Sequence, residues 1–282
     1  MILVFGKTGQ VARELAALPD VICLHRAAAD LSDPATCAAA VNAHAPDAVI
    51  NAAAYIAVDQ AEQDEALARV INGDAPGAIA LTCAERDIPF VQISTDYVFD
   101  GSGSDPWSPD ANTSPLGAYG RTKLIGEERT RAAVGAHAIL RTSWVVSPHG
   151  KNFVKTMLRL GTERSELSVV SDQIGGPTSA RDIARACHAI AEQLIESPQK
   201  TGTYHFSGTP DCSWADFARA IFERGGIDCT VRDIPTTDYP TPAKRPLNSR
   251  LNCDTTKAVF GTSRPDWRDS LKDILSELGA LA

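Results

Sequence analysis

The chain has 282 residues and carries 35 Asp and Glu against 27 Lys and Arg, a formal charge of −8, which argues against a polyanion-binding surface and hence against nucleic acid as partner. Apolar residues make up 44% of it, enough for one large domain or two modest ones, yet no apolar run approaches the ~18 residues of a membrane span. Seven widely spaced cysteines without a C-x-x-C read as reduced thiols of a cytoplasmic protein.

In chain order, "ILVF" (residues 2–5) is a short buried strand beginning directly after Met1, with no basic leader before it. "QVARELAAL" has helical spacing, "VICL" (residues 21–24) is a second strand, and "DPATCAAAVNAH" is a helix with Asp33 as cap and Pro34 at its first position. "DAVINAAA" gives a third strand. A long helical pattern covers residues 59–86, with a break expected near Gly73 to Gly77, and "PFVQIST" is a fourth strand. A Gly-, Ser-, Asp- and Pro-rich loop from Asp100 to Pro115 leads to a helix over 115–131 and a strand, "HAILRTSWVV". This alternation predicts an α/β fold, a Rossmann-type doubly wound parallel sheet, over residues 1–147.

Residues 148–282 are mixed. "NFVKTMLRL" is amphipathic, and "ELSVVSDQIGGPT" is a strand entering a Gly-Pro loop. "ARDIARACHAIAEQLIE" is a helix, "GTYHFSG" a strand and "SWADFARAIFERGG" a capped helix. "IPTTDYPTPAKRPLNSRLN" is a proline-rich loop, and "PDWRDSLKDILSELG" a final amphipathic helix. The expectation is a smaller, interleaved C-terminal α/β substrate domain, with elements from about residues 178–206 added to the first domain.

After the first strand, "GKTGQVA" places Gly6, Thr8, Gly9, Gln10, Val11 and Ala12 in a G-x-x-G-x-x-A loop opening a helix. Small residues there allow a tight turn and close approach of backbone to a dinucleotide pyrophosphate. A carboxylate about 20 residues on would hold an adenosine ribose diol. Here His25 and Arg26 end the second strand instead. Arg26, with Lys7 assisting, suits a 2′-phosphate and favours NADPH, with NADH as the alternative; a solvated strand end is the bland reading. Asp30 and Leu31 follow and would flank the adenine. No H-x-x-x-H pair suggests zinc.

Open α/β sheets bind ligands at the carboxyl ends of their strands. The fourth strand ends at Thr95 and Asp96, and "SPLGAYGRTK" places Tyr119 and Lys123 one helical turn apart. A hydroxyl to hold a ketone oxygen, a phenol to protonate it and a lysine to bind the nicotinamide ribose and lower the phenol's pKa complete hydride transfer to a ketone. Separately, each feature has a plain reading: a Thr-Asp turn and an exposed helix face with a snorkelling lysine.

Together, "GKTGQVA", "NAAA", "STDYVF", "SPLGAYGRTK", "RTSWVV", "SWADFA" and "YPTPAKRPLNSRL" resemble the extended short-chain dehydrogenase/reductases, and among them the dTDP-4-dehydrorhamnose reductase family, over nearly the whole chain. The resemblance implies NAD(P)H-dependent reduction of the C4 ketone of dTDP-6-deoxy-L-lyxo-4-hexulose to dTDP-L-rhamnose. It makes Tyr119 the proton donor, Lys123 the ribose-binding residue and Thr95 the residue polarising the ketone. Gly9, Gln10 and Val11 would lie against the pyrophosphate, and Ala52, Ala53 and Ala54 would make room for the cofactor. Asp96 and Trp144 would face the sugar nucleotide. Arg245, beside Lys244 in the proline loop, would meet its pyrophosphate, with a solvated charge pair as the alternative. Gly176, Pro177 and Thr178 would shape the same cleft or merely link a strand to a helix. Asn72 would tie cofactor-side elements together or be a satisfied helix residue.

The chain departs from the family pattern at Tyr55-Ile56, where His-Thr is usual, and at His25-Arg26, where an Asp is usual. Some members use Mg2+ at a dimer contact. Glu14 matches one acidic position, without a full ligand set, and a surface helix glutamate is the alternative; a homodimer is compatible with the resemblance. Rival readings are reduction from the other hydride face, as in a 6-deoxytalose pathway, and a non-catalytic NADP-binding regulatory subunit of S-adenosylmethionine synthetase. The intact Thr, Tyr and Lys favour catalysis. A dehydratase lacks support because no Asp-Glu pair follows the strand-end hydroxyl, and a 4-epimerase because the C-terminal pattern differs.

Overall fold

A computed structural model describes residues 1–282. The apolar run at the start forms β1 (Ile2–Phe5), followed by α1 (Gln10–Leu15), β2 (Val21–Leu24), α2 (Pro34–His44) and β3 (Ala48–Asn51). The Asp33 side chain accepts the Ala35 N–H at the start of α2, as its sequence predicts. The long helical stretch then divides into α3 (Val58–Ala61), α4 (Glu65–Arg69), a π turn (Val70–Asp74) and α5 (Ala75–Ala84). The chain leaves the helix at residues 62–64, and near the expected Gly73 to Gly77 break the ladder widens into the π turn without ending. Those glycines are needed for closeness instead: a Cβ on Gly73 would lie 2.8 Å from Ile125 Cγ2, and one on Gly77 2.9 Å from Arg129 Cδ.

Next come β4 (Phe90–Thr95), α6 (Ala118–Ala132) and β5 (His137–Thr142). The strand expected to run on to Val146 stops at Thr142. Trp144 has φ of 48°, which an extended strand does not accommodate. The chain turns there and resumes as β6 (Val145–Val146). The second half contains α7 (Phe153–Glu163), β7 (Glu166–Val170), β8 (Ile174–Gly175), β9 (Thr178–Ser179), α8 (Ala180–Glu196) and β10 (Gly202–His205). It ends with β11 (Cys212–Ser213), α9 (Trp214–Arg224), β12 (Thr230–Ile234), β13 (Asn248–Ser249), α10 (Asp254–Phe260) and α11 (Trp267–Glu277).

Six strands make one sheet in the order β10-β5-β4-β3-β1-β2, every pairing parallel. One face is covered by α1 and α8, through Val11, Leu15, Ile183 and Ile190; the other by α2 and α5, through Val41, Ile79 and Cys83. The strands read as continuous apolar runs because both faces are covered. The chain reverses direction across the sheet between β1 and β3, so a crevice opens beyond their carboxyl ends.

A separate apolar cluster joins α7, α9 and α11 over β7, through Met157, Phe217, Ile221, Trp267 and Leu271. This half also returns to the sheet. α8 lies on its face, β10 extends its edge, and Phe260 of α10 enters the same core. All seven cysteines are free, and no helix is long and apolar enough to cross a membrane.

Candidate active site

A cavity of about 800 Å³ fills the crevice. At one end the glycine loop leaves β1 with Gly6 at φ 108°, a conformation that favours glycine. A Cβ there would also meet the Ala52 backbone at 3.4 Å. Gly6, Thr8, Gly9, Gln10 and Val11 line this wall, and Ala52, Ala53 and Ala54 face them from the end of β3. The Gln10 side chain does more than border the cavity. Its Oε1 accepts hydrogen bonds from Ser147 Oγ at 2.8 Å and Asn152 Nδ2 at 3.0 Å, tying the loop to the start of α7.

Arg26, Asp30 and Leu31 line the far end. The Arg26 guanidinium is exposed but not free: its Nε donates to Asp30 Oδ2 at 3.0 Å. The backbone N–H of Ser32 also holds Asp30, and its carboxyl lies below the usual carboxylate range. The end of β2 therefore offers both a cation and a carboxylate.

Another part of the lining gathers Thr95, Asp96, Tyr119, Lys123 and Trp144. The Thr95 hydroxyl donates to Asp96 Oδ1 at 3.0 Å and accepts the Tyr97 N–H at 3.2 Å. Burial pushes the Asp96 carboxyl up to about 6, with the Ser249 and Thr95 hydroxyls pulling the other way. Its Oδ2 is buried without a hydrogen bond of good geometry.

Burial also pushes the Tyr119 phenol up to about 12, helped by the Asp96 charge and opposed by the Thr95 hydroxyl. This reverses the expectation that Lys123 lowers it. The Lys123 ammonium donates to the Ile93 carbonyl at 2.6 Å and has no part in the phenol's shift. Burial brings Lys123 itself down to about 8, against the lifting charge of Glu127. At neutral pH the pair is thus a neutral phenol and an ammonium, the states suited to giving a proton away.

Trp144, placed by its left-handed backbone, stacks on Trp214 with ring centroids 3.5 Å apart, and Phe153 lies against Trp214 at 4.5 Å. The bend at the end of β5 thereby presents an aromatic wall to the cavity, held from behind by the C-terminal half. Asn72 ties elements together: its Oδ1 accepts the Tyr55 N–H at 2.8 Å, and its Nδ2 donates to the Tyr55 carbonyl and to Thr122 of α6. The Tyr55 phenol donates to Asp64 at 3.0 Å, while Ile56 borders the cavity and is exposed.

Arg245 does not line the cavity. Its guanidinium pairs with Asp59 of α3 at 2.8 Å and holds the proline loop there. Glu14 is not a surface residue. It is buried with its carboxylate between Arg181 at 3.3 Å and His149 at 3.2 Å. The Arg181 guanidinium already pairs with Glu14, so this carboxylate by itself does not make a Mg2+ site. Sequence reasoning overlooked Thr142, whose buried Oγ1 lacks a partner and which stands in register with Thr95 on the cavity wall. The strand-end rule that located Thr95 applies equally to β5.

A parallel sheet with a glycine loop at its switch point and a Thr, Tyr and Lys set in the same crevice defines a dinucleotide-binding fold of the extended short-chain dehydrogenase/reductase class. Residues 1–280 match the RmlD substrate binding domain, and the chain belongs to that family. It is 43% identical to a dTDP-4-dehydrorhamnose reductase of Sinorhizobium fredii, over 96% of this chain and 95% of that protein. A crystal structure of a dTDP-4-dehydrorhamnose reductase from Clostridium acetobutylicum superposes with a TM-score of 0.92 at 37% identity, covering 99% of each chain. Another, from Bacillus anthracis in complex with NADP, gives 0.90 at 33% identity over 98% of each.

Proposed function

We propose that the chain binds NADPH in the 800 Å³ crevice and reduces the C4 ketone of dTDP-6-deoxy-L-lyxo-4-hexulose to dTDP-L-rhamnose. The observation that carries this is the convergence of Thr95, Tyr119 and Lys123 on one cavity that is also lined by a glycine loop whose Gly6 has φ of 108°. The family membership supports the sugar-nucleotide class. NADH is the alternative cofactor, and the Arg26–Asp30 pair favours NADPH only in so far as the guanidinium turns from Asp30 to a 2′-phosphate. The first half would serve the cofactor and residues 148–282 mostly the sugar nucleotide.

A bound nicotinamide supplies the hydride; the protein's part is orientation and the proton. Thr95 donates its hydroxyl hydrogen to the ketone oxygen, exchanging its bond to Asp96 for one to substrate. Tyr119, protonated throughout the physiological range, gives its phenolic proton to that oxygen as negative charge develops on it. Lys123 holds the ribose hydroxyls as an ammonium. Asp96 accepts from a sugar hydroxyl, and Trp144 packs against the sugar ring.

Tyr119→Phe tests the assignment. NADPH oxidation with the 4-keto sugar should fall about 10²–10⁴-fold in kcat, the range of a lost general acid. Cofactor affinity, read by fluorescence titration, should stay within about twofold, because the phenol is withdrawn only from the transition state. Full activity in this variant would remove Tyr119 from its role. Absence of turnover by the unaltered protein with either NADPH or NADH would remove the reductase reading itself.

A further inference from the structure

Glu127 lies one helical turn beyond Lys123 on α6 and is entirely buried. Both carboxylate oxygens are engaged. Oε1 accepts from Ser94 Oγ at 2.6 Å and Arg141 Nε at 2.9 Å; Oε2 accepts from Arg141 Nη2 at 2.7 Å. Arg131, one turn further along α6, reaches Oε2 at 3.4 Å. These partners are neighbours of the reacting groups. Ser94 immediately precedes Thr95 on β4, Arg141 immediately precedes Thr142 on β5, and Ile93 of β4 receives the Lys123 ammonium. One carboxylate therefore fixes α6 at a single height against the two strands whose ends carry the site.

We infer that Glu127 is the positioning residue of the active-site lysine: it docks α6 on β4 and β5 and provides the countercharge that keeps the Lys123 ammonium in place. This rests on the reductase reading only for the use to which Lys123 is put.

The placement makes sense of an otherwise costly arrangement. A buried ion pair is often no more stable than apolar residues of the same volume, so the Glu127–Arg141 pair is a poor device for stability alone. Lys123 is a buried cation whose hydrogen bond goes to a carbonyl, which has no charge to offset the lost water. The other charged and titratable groups on elements packed against α6 are committed elsewhere. Asp59 pairs with Arg245, Glu62 and Glu65 with Arg121, and Asp74 with Arg129. Arg69 of α4 and His137 at the start of β5 remain on these elements, Asp96 and Tyr97 follow β4, and Tyr119 and Glu128 are on α6 itself. Of all these, only Glu127 raises the Lys123 pKa against its burial. His205, pushed down to about 3 mainly by burial, stays neutral behind Arg141 and adds no charge.

The test compares three variants by the titration of the Lys123 side-chain resonances in NMR, assigned through Lys123→Met, and by the pH profile of kcat/KM. Glu127→Asp keeps the charge, and Lys123 should titrate near the unaltered position. Glu127→Gln removes it but strands Arg141, so a folding defect is expected there. Glu127→Leu with Arg141→Met removes both charges and preserves the packing, and should fold. In that double variant, which loses the like charge of Arg141 as well, Lys123 should still titrate lower, because the lost carboxylate is the one a single turn away on its own helix, and the alkaline limb of kcat/KM should move with it. A folded double variant with both at their original positions would overturn the inference, since a purely structural clamp predicts that result. The resonance titration needs no turnover. A protein that fails to reduce the keto sugar, yet whose Lys123 titration follows Glu127, would lose the reductase reading and keep this one.

Discussion

Asp96 is placed where a carboxylate is costly. Its pKa of about 6 against an ordinary 3.8 arises first from burial. Between these values the folded protein holds more protons than the unfolded chain, so stability falls as pH rises from about 4 to 6 and stays lower above. The deficit at pH 7 is of the order of 2–3 kcal/mol. Asp96→Asn should therefore raise the melting temperature at pH 7, with the gain shrinking at pH 5 and vanishing near pH 3.5. The same change should lower kcat/KM, because an amide is a poorer acceptor for a sugar hydroxyl than a carboxylate. Thermal unfolding at the three pH values, alongside kinetics, checks both; a variant destabilised at pH 7 would show that Asp96 is held by stronger partners than Thr95 and Ser249.

At the scale of elements, the site depends on how closely α6 approaches the π turn. A Cβ on Gly126 would fall on the Asn72 carbonyl oxygen, well inside van der Waals contact. Gly126→Ala should force the two apart and cost about 2–3 kcal/mol by overpacking, read as a lower denaturant midpoint. Because Tyr119 and Lys123 ride on the same helix, kcat should fall as well. An unaltered midpoint would mean that α6 can shift without loss. The local features of the site were legible in the sequence. A strand–glycine–helix order located the loop, the strand-end rule located Thr95 and Asp96, and a spacing of four joined Tyr119 to Lys123. What sequence periodicity does not carry is pairing between distant charges. Arg245 meets Asp59, 186 residues away, and Arg181 meets Glu14 at a separation of 167. Neither leaves a local pattern, so the Asp59 partner of Arg245 and the burial of Glu14 are not legible in the sequence. The end of β5 was misread for another reason: "RTSWVV" has strand composition throughout, and the left-handed turn at Trp144 is held by tertiary partners, the stack on Trp214 and the Thr178 N–H on its carbonyl.

In the molecule as a whole, the sheet and the C-terminal cluster are joined by a chain of charges. Arg181, at the start of α8, reaches Glu14 of α1 on the sheet side and Glu277 of α11 in the C-terminal cluster. His149, in the loop before α7, approaches Glu14 from the other side. A guanidinium thus spans the carboxylates of two helices and neutralises both. The protein should therefore need no metal here. EDTA should leave its melting temperature and NADPH oxidation unchanged, and added Mg2+ should not stabilise it. Arg181→Ala leaves Glu14 buried beside only a histidine. It should cost about 1–3 kcal/mol, the desolvation penalty of an unsatisfied buried group, or several degrees in melting temperature for a chain of this size. With the guanidinium gone, Glu14 and Glu277 would face one another unneutralised, and Mg2+ should then recover part of the lost stability. A metal response in the unaltered protein that disappears in Arg181→Ala would reverse this assignment, because it would make Arg181 the organiser of a cation site instead of its substitute.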